Sequence, residues 1–203
     1  MIRPNPVSER VLLVEGRDDE RVIRELCEHA GFSCDFSIID KNGKDRLLRS
    51  IRNEVEVSGR TALGVVLDAN NDIAARWQAV RNQLSRADTA VQPDLDPTGS
   101  VIQGMPRVGV WIMPDNQNEG QLEDFVAAMI PQNDVVWPLA QDYIKSIPDP
   151  HRPSPLIKAQ VHAWLAARPR PRHMGTAIQA GDFDTQASLA ESFINWMKRL
   201  FER

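Results

Sequence analysis

Short uninterrupted apolar runs alternate with amphipathic segments along the first 130 residues. The runs at 11–14, 62–67 and 108–113 consist almost entirely of apolar side chains. Runs of this length and composition are typical of strands buried on both faces of a sheet, and residues 36–40 predict one more strand. The intervening segments carry apolar residues at helical spacing. This alternation predicts an α/β fold with a parallel sheet of about four strands and helices on both faces.

Beyond residue 130 the pattern changes to helices alone. Apolar residues recur at helical spacing over 135–147, 156–167 and 187–201. We therefore expect an α/β core over residues 1–130 and a helical extension over residues 131–203 that packs on it, unless both parts form one domain. The segment 88–106 is rich in proline, glycine and aspartate without periodicity, which predicts a long surface loop.

Charge and composition restrict the kinds of function. The net charge is −4, so the protein as a whole offers no basic surface to nucleic acid, and such a ligand would need a local basic patch or metal ions. No apolar run is long enough to cross a bilayer, and the first residues lack the apolar core of a signal peptide. Cys27 and Cys34 are not in a metal-type pair and are expected to be reduced thiols. These features predict a cytoplasmic protein without membrane contact.

Acidic residues follow three of the predicted strands. Glu15 directly ends the first apolar run, Asp68 to Asp72 follow the third, and residues 115–123 follow the fourth. Ligands of parallel α/β sheets bind beyond the carboxyl ends of the strands, where these acids would converge. Carboxylates at one edge repel each other unless a cation lies among them, and oxygen ligands favour magnesium. The alternative is that each acid is a helix cap or a partner of a helix dipole.

The residues around these acids resemble those of the Toprim family. The segment Val14-Glu15-Gly16-Arg17-Asp18-Asp19 resembles its first motif, and Leu67-Asp68-Ala69-Asn70 lies where the family has two aspartates separated by one residue. This resemblance covers roughly residues 9–130. Over the whole chain the sequence resembles small bacterial Toprim proteins that are distantly similar to overcoming-lysogenization-defect (OLD) type nucleases. Residues 108–125 carry that second resemblance, as do Lys158, Trp164, Gly175-Thr176-Ala177 and Asp182-Phe183-Asp184.

The resemblance implies a function and a set of site residues. It implies a nuclease or nickase that acts on the phosphodiesters of DNA or RNA with Mg²⁺ or Mn²⁺. Glu15 would be the general base or acid, and Asp68 a catalytic residue and principal metal ligand. The implied metal ligands are Glu15, Asp68, Asn70, Asp72 and Glu123, and the implied substrate contacts are Gly16, Arg17 and Lys158. The amide of Asn70 stands where the family has its second aspartate, and Asp72 is a candidate to replace that charge.

Two other interpretations stay open at this stage. The neutral Asn70 and the acidic net charge are also compatible with a Toprim-fold binding or regulatory module that lacks catalysis. The other interpretation is an effector or subunit of a bacterial defence or toxin system, with a homo-oligomer or a protein partner as further options. The basic series Lys41, Lys44, Arg46, Arg49 and Arg52 is a candidate phosphate contact, although charge runs are usually solvated faces.

Overall fold

A computed structural model describes residues 8–33 and 35–202. It contains five strands and eight helices within those residues. The strands are β1 (Arg10–Val14), β2 (Ser37–Asp40), β3 (Ala62–Asp68), β4 (Ser100–Ile102) and β5 (Arg107–Met113). The helices are α1 (Arg17–His29), α2 (Lys44–Val55), α3 (Ile73–Ser85), α4 (Leu122–Ala127), α5 (Val136–Ser146), α6 (Leu156–Ala166), α7 (Met174–Gln179) and α8 (Ser188–Phe201).

The strands form one sheet in the order β2-β1-β3-β5-β4. The first four strands in that order are parallel, and only β4 pairs antiparallel with β5. Two apolar layers cover the sheet, because alternate side chains of a strand point to opposite faces. Leu12 and Val14 pack in the layer that contains α1 and α8, whereas Val11 and Leu13 pack with α2 and α3. The predicted fold class is confirmed, and the sheet is consistent with a Toprim-like α/β fold.

Two glycines let α8 lie close against the middle of the sheet. Gly64 of β3 and Gly109 of β5 are opposite each other in the parallel register. A Cβ atom on Gly109 would lie 2.6 Å from Leu200 Cδ2 of α8, and one on Gly64 would lie 3.0 Å from the same atom and 2.4 Å from Leu12 Cδ1 of β1. Since real Cβ atoms do not approach so closely, side chains at these positions would push α8 away from the strands.

The C-terminal helices are tied to one another and to the first helices by specific contacts. Helix α6 packs against α4 and α5, and α7 packs against α1. Asp134 accepts hydrogen bonds from the backbone N–H of Trp137 (2.7 Å) and from Trp164 Nε1 (2.9 Å), and it pairs with Arg168. Arg168 also stacks on the Trp164 ring. These contacts fix the start of α5 to the end of α6.

Two elements differ from the sequence-based expectation. The segment 88–106 is not entirely loop, since β4 lies within it and adds a fifth strand. Its three residues are too few to show a periodic pattern, and the strand is held by pairing with β5 and by Trp196 Nε1, which donates to the Ser100 carbonyl (3.1 Å). The six-residue helix α7 was not predicted either. Cys27 is buried on α1, and Cys34 lies outside the described residues.

Across residues 8–33 and 35–202, the helices are all too short or too polar to span a bilayer.

Candidate functional site

The first and third strands lie side by side where the direction of the chain across the sheet reverses. From β1 the chain passes through α1 to β2 on one side, and then through α2 to β3 on the other side. A crevice forms at such a reversal because the two connecting helices lie on opposite faces of the sheet. Glu15 directly follows β1, and Asp68 is the last residue of β3. Both acids are therefore at the mouth of this crevice.

Backbone N–H groups hold the two acids in place. The N–H of Asp68 donates to Glu15 Oε1 at 2.9 Å, so the Glu15 side chain reaches across to the neighbouring strand. Asp68 Oδ1 accepts from the N–H of Leu122 at 3.0 Å, at the start of α4. Arg76 of α3 donates from Nε to the Asp68 carbonyl at 2.7 Å. The structure thus brings Glu15 and Asp68 together, and it adds an arginine at the edge of the crevice.

Asp19 is a third acid of the crevice. Its side chain is buried on α1, where Oδ2 accepts from the Gly16 N–H at 3.1 Å. The other oxygen, Oδ1, is also buried and has no hydrogen-bond partner among the described residues. A buried acceptor without a donor is costly, so this oxygen requires a proton, a bound water or a cation as its partner. Asp19 lies in the segment that resembles the first Toprim motif but is not among the predicted site residues.

The spacing of Asp19 from the apolar residues of α1 is the sequence feature that could have identified it as a site residue. It precedes Val22, Ile23 and Leu26 by three, four and seven residues, which places it on the buried stripe of α1. Positions on this stripe are normally occupied by apolar residues, so an aspartate there indicates a specific role.

Glu123 is the fourth acid, and the C-terminal extension supplies its partner. Glu123 lies in the first turn of α4 and is only 3% exposed. Lys158 of α6 reaches it with 2.8 Å between Nζ and Oε1, although about half of the lysine side chain is exposed. The hydrogen bond to Glu123 raises the pKa of Lys158, and the charges of Asp18 and Asp68 add to that effect. Lys158 therefore provides a positive charge at the rim of the crevice.

Burial and mutual repulsion raise the pKa values of Asp68, Asp19 and Glu15. Burial raises the pKa of Asp68 to about 8, with further contributions from Asp19, Glu15 and Glu123. Burial likewise raises the pKa of Asp19 to about 7, with Glu15 as the largest neighbouring charge. The pKa of Glu15 is also raised by burial, against the opposing effects of the Asp68 N–H and of Arg76. Perturbed acids in a crevice are typical of functional sites.

The four carboxyl groups are suitable donors for a hard divalent cation, although they are not preassembled around one. No group of three or more His, Cys, Asp or Glu side chains within residues 8–33 and 35–202 is arranged to hold an ion. One cause is visible in the contacts, since Glu123 is already paired with Lys158. Repulsion between the ionised carboxylates also opposes their approach when no cation lies between them. Ion binding would require the carboxyl groups to lose protons and close together.

The structure does not bring the other predicted metal ligands into this cluster. Asn70 has an exposed side chain and a left-handed backbone (φ 55°), and its backbone exchanges two hydrogen bonds with Gly120. The Asn70 side chain makes no hydrogen bond to the four acids in the described part of the chain. Asp72 is exposed and caps α3 by accepting from the Ala75 N–H at 2.8 Å.

The predicted substrate contacts have different positions around the crevice. Gly16 precedes α1 and uses its N–H to bind Asp19, so this donor is not available to a substrate. Its φ of −153° is extended backbone, so glycine is not required there by conformation. Arg17 begins α1 and is exposed. Lys158 is the one of the three whose side chain contacts an acid of the cluster, Glu123.

Comparisons with known proteins identify a family. No curated protein and no solved structure matches the chain. The model of the family described as "Protein of unknown function (DUF3226)" matches residues 9–202. Because that match spans nearly the whole chain, the protein belongs to the DUF3226 family.

Proposed function

We propose that this protein is a metal-dependent nuclease or nickase whose active site is the crevice around Glu15 and Asp68. The observation that carries the proposal is the hydrogen bond from the Asp68 backbone N–H to the Glu15 carboxylate at the reversal of chain direction in the sheet, with the unpartnered Asp19 oxygen beside them. A pair of acids on adjacent strands, next to a buried oxygen without a donor, suits a cation better than a set of helix caps. The resemblance of residues 9–130 to Toprim proteins supports the same reaction.

Asp68, Glu15, Asp19 and Glu123 would hold Mg²⁺ or Mn²⁺. All four offer carboxylate oxygens, which are the ligands that these ions prefer, and substrate phosphates or water usually complete the coordination. When bound, such an ion polarises the phosphate and offsets the negative charge that develops during the reaction.

Glu15 is suited to move the proton in the reaction. Its Oε1 is held by the Asp68 N–H, while Oε2 makes no hydrogen bond to a described residue. Its raised pKa brings the carboxylate closer to the value that a base needs near neutral pH. In the proposed step, Glu15 accepts a proton from water as the water oxygen bonds to phosphorus. The opposite P–O bond then breaks, and the departing oxygen takes up a proton.

Arg76 and Lys158 flank the reacting acids with positive charge. Arg76 is anchored to the Asp68 carbonyl and lies near Glu15, and Lys158 lies on the side of Glu123. Cations in these positions can orient a phosphate and limit repulsion between it and the carboxylates. This assigns Lys158 to the substrate contacts, as the resemblance implies.

A non-catalytic nucleic-acid-binding or regulatory module is the alternative function. It is favoured by Asn70, because the amide removes one charge that Toprim enzymes carry and the side chain is exposed away from the four acids. Such a module would bind the cation and the nucleic acid without cleaving it. For both alternatives we also propose a cytoplasmic location and a role in bacterial defence. In either case the protein would act as a homo-oligomer or together with a protein partner.

Incubation with supercoiled plasmid and with structured RNA tests the two alternatives. We expect nicked or shortened products with Mg²⁺ or Mn²⁺ and none after chelation with EDTA. Binding of nucleic acid without any cleavage in either metal would favour the non-catalytic module. If the protein neither binds nor cleaves plasmid or RNA, both proposals are contradicted.

The Lys158→Met variant tests the proposed rim of the crevice. Removal of the ammonium group leaves the buried Glu123 carboxylate without its partner, which should cost about 1–2 kcal/mol, or about 3–6 °C in melting temperature without metal. Mg²⁺ should then bind more tightly than in the wild type, because it no longer competes with the lysine for Glu123. Thermal unfolding with increasing Mg²⁺ measures both effects.

Lys145→Met is the matched control for that variant. Lys145 is exposed on α5 and forms no ion pair with a described residue, so the melting temperature and the Mg²⁺ response should equal those of the wild type. If Lys158→Met also behaves like the wild type, the ion pair does not contribute to the site.

A further inference from the structure

The basic residues around α2 divide into two groups according to their partners. Lys41 pairs with Glu54 at 2.7 Å, and Arg60 also pairs with Glu54, at 2.6 Å. Arg52 pairs with Glu56 at 2.9 Å. These three cations are therefore paired within the protein, although Lys41 and Arg60 share the one carboxylate of Glu54.

The other group lies in the first two turns of α2 and is not neutralised. Lys44, Arg46 and Arg49 form no ion pair and no side-chain hydrogen bond with any residue between 8 and 202 that the structure describes. Arg46 and Arg49 are exposed, and their spacing of three residues places them next to each other on the helix surface. In a protein of net charge −4, three neighbouring cations without acidic partners form a distinct positive patch.

These cations share one groove, which we call the α2 groove. Its volume is about 500 Å³, and it is lined by Asn42, Gly43, Lys44, Asp45, Arg46 and Arg49. Asp45 is the only acid of this lining, so the groove keeps a net charge of +2 (three cations and one anion). A concave surface with an excess of positive charge concentrates anionic ligands more effectively than a flat one.

The α2 groove begins at the active-site crevice. The Gly43 N–H donates to the Glu15 carbonyl at 2.7 Å, and the Lys41 N–H donates to the Val14 carbonyl at 3.0 Å. Lys44 is close enough to Glu15 for its charge to lower the pKa of that carboxyl group. A polyanion whose reacting phosphate lies at Glu15 would therefore meet Lys44 first and then Arg46 and Arg49.

We propose that the α2 groove binds the backbone phosphates of a nucleic-acid strand beside the phosphate that reacts. This inference rests on the proposed function, and it assigns the direction in which the substrate leaves the crevice. The side chains in the groove offer charge and hydrogen-bond donors, which match phosphates and carry no base sequence information. Binding at this groove is therefore independent of sequence and sensitive to salt.

The double variant Arg46→Gln/Arg49→Gln tests the groove in a background that cannot cleave. With Glu15→Gln also present, the affinity for fluorescein-labelled DNA and RNA oligonucleotides is measured by fluorescence anisotropy over a range of salt concentrations. Each lost phosphate contact should make the negative slope of log K against log salt shallower by about 0.7–0.9. For both DNA and RNA, we expect the slope of the double variant to be shallower by about 1.4–1.8, with weaker binding for every sequence.

Arg86→Gln/Arg170→Gln is the matched control, because it removes two exposed arginines that lie outside the groove. This control should keep the slope of its parent protein. A different result is that the groove variant also keeps the slope of its parent while the wild-type protein, with Glu15 intact, cleaves nucleic acid. In that case the groove inference is wrong and the proposed function stands. If the parent protein binds neither DNA nor RNA, the groove inference fails together with the proposed substrate.

Discussion

Replacement of Glu15 by glutamine is expected to lower metal-dependent cleavage by roughly 10²–10⁴-fold, which is the usual effect of losing a general acid or base. Glutamine keeps the shape of the side chain, and its carbonyl oxygen can still accept from the Asp68 N–H. It can neither accept the proton from water nor contribute a negative charge to a cation. The fold should remain intact, because one of several like charges in the crevice is removed. Initial rates on plasmid and RNA, with circular dichroism for the fold, provide the measurement.

The control for this prediction is Glu119→Gln. Glu119 is exposed and follows β5, so the same chemical change occurs close to the site without entering the crevice. Its cleavage rate should stay within about twofold of the wild type, as expected for a surface substitution. If Glu15→Gln cleaves as fast as Glu119→Gln, Glu15 is not the proton carrier. Cleavage in preparations of both variants but not in independently purified wild type would indicate a contaminating nuclease.

Without metal, the protein should become less stable as the pH rises from 6 to 8. Asp68 has a folded-state pKa of about 8 and Asp19 one of about 7, against ordinary values of 3.8. In this range the folded protein binds protons that the unfolded chain has lost, so the free energy of unfolding falls with pH. The decrease should be on the order of 3 kcal/mol, or about 5–10 °C in melting temperature. Above the folded pKa values the dependence on these acids should level off.

Mg²⁺ should reverse this dependence, because it binds the ionised carboxylates. At pH 8 a saturating concentration should raise the melting temperature by several degrees, since the ion binds the folded protein preferentially. In Asp68→Asn, most of the pH dependence and of the Mg²⁺ response should disappear. Asp142→Asn changes an exposed acid on α5 and should retain both. If Asp68→Asn and Asp142→Asn respond alike to pH and to Mg²⁺, the acids of the crevice do not form one electrostatic unit.

Glu15 and Asp68 could be predicted from the sequence because each comes directly after an uninterrupted apolar run. The carboxyl ends of adjacent parallel strands meet at one edge, so position along the chain was sufficient. Asp72 was not constrained in this way. It lies beyond the strand in the cap of α3, and the local hydrogen bond to the Ala75 N–H determines its direction. Asn70 turns into a left-handed conformation that pairs its backbone with Gly120.

The remaining parts of the site depend on contacts between distant segments. The pairing of Lys158 with Glu123 requires α6 to pack on α4, and no local pattern in the sequence determines that packing. Arg76 was not among the predicted site residues, and its guanidinium group reaches back from α3 to the Asp68 carbonyl at the end of β3. Likewise, the partners Glu54 and Glu56 distinguish paired from unpaired cations around α2, and only the structure identifies them.

Anomalous diffraction from crystals soaked in Mn²⁺ at pH 8 tests the proposed cation site most directly. At this pH the acids of the crevice can lose their protons, and Mn²⁺ accepts the same oxygen ligands as Mg²⁺. We expect an anomalous peak in the crevice with Asp68 and at least one of Glu15, Asp19 and Glu123 as ligands. The absence of an anomalous peak from the crevice, or a peak elsewhere that none of these four acids ligates, would contradict it.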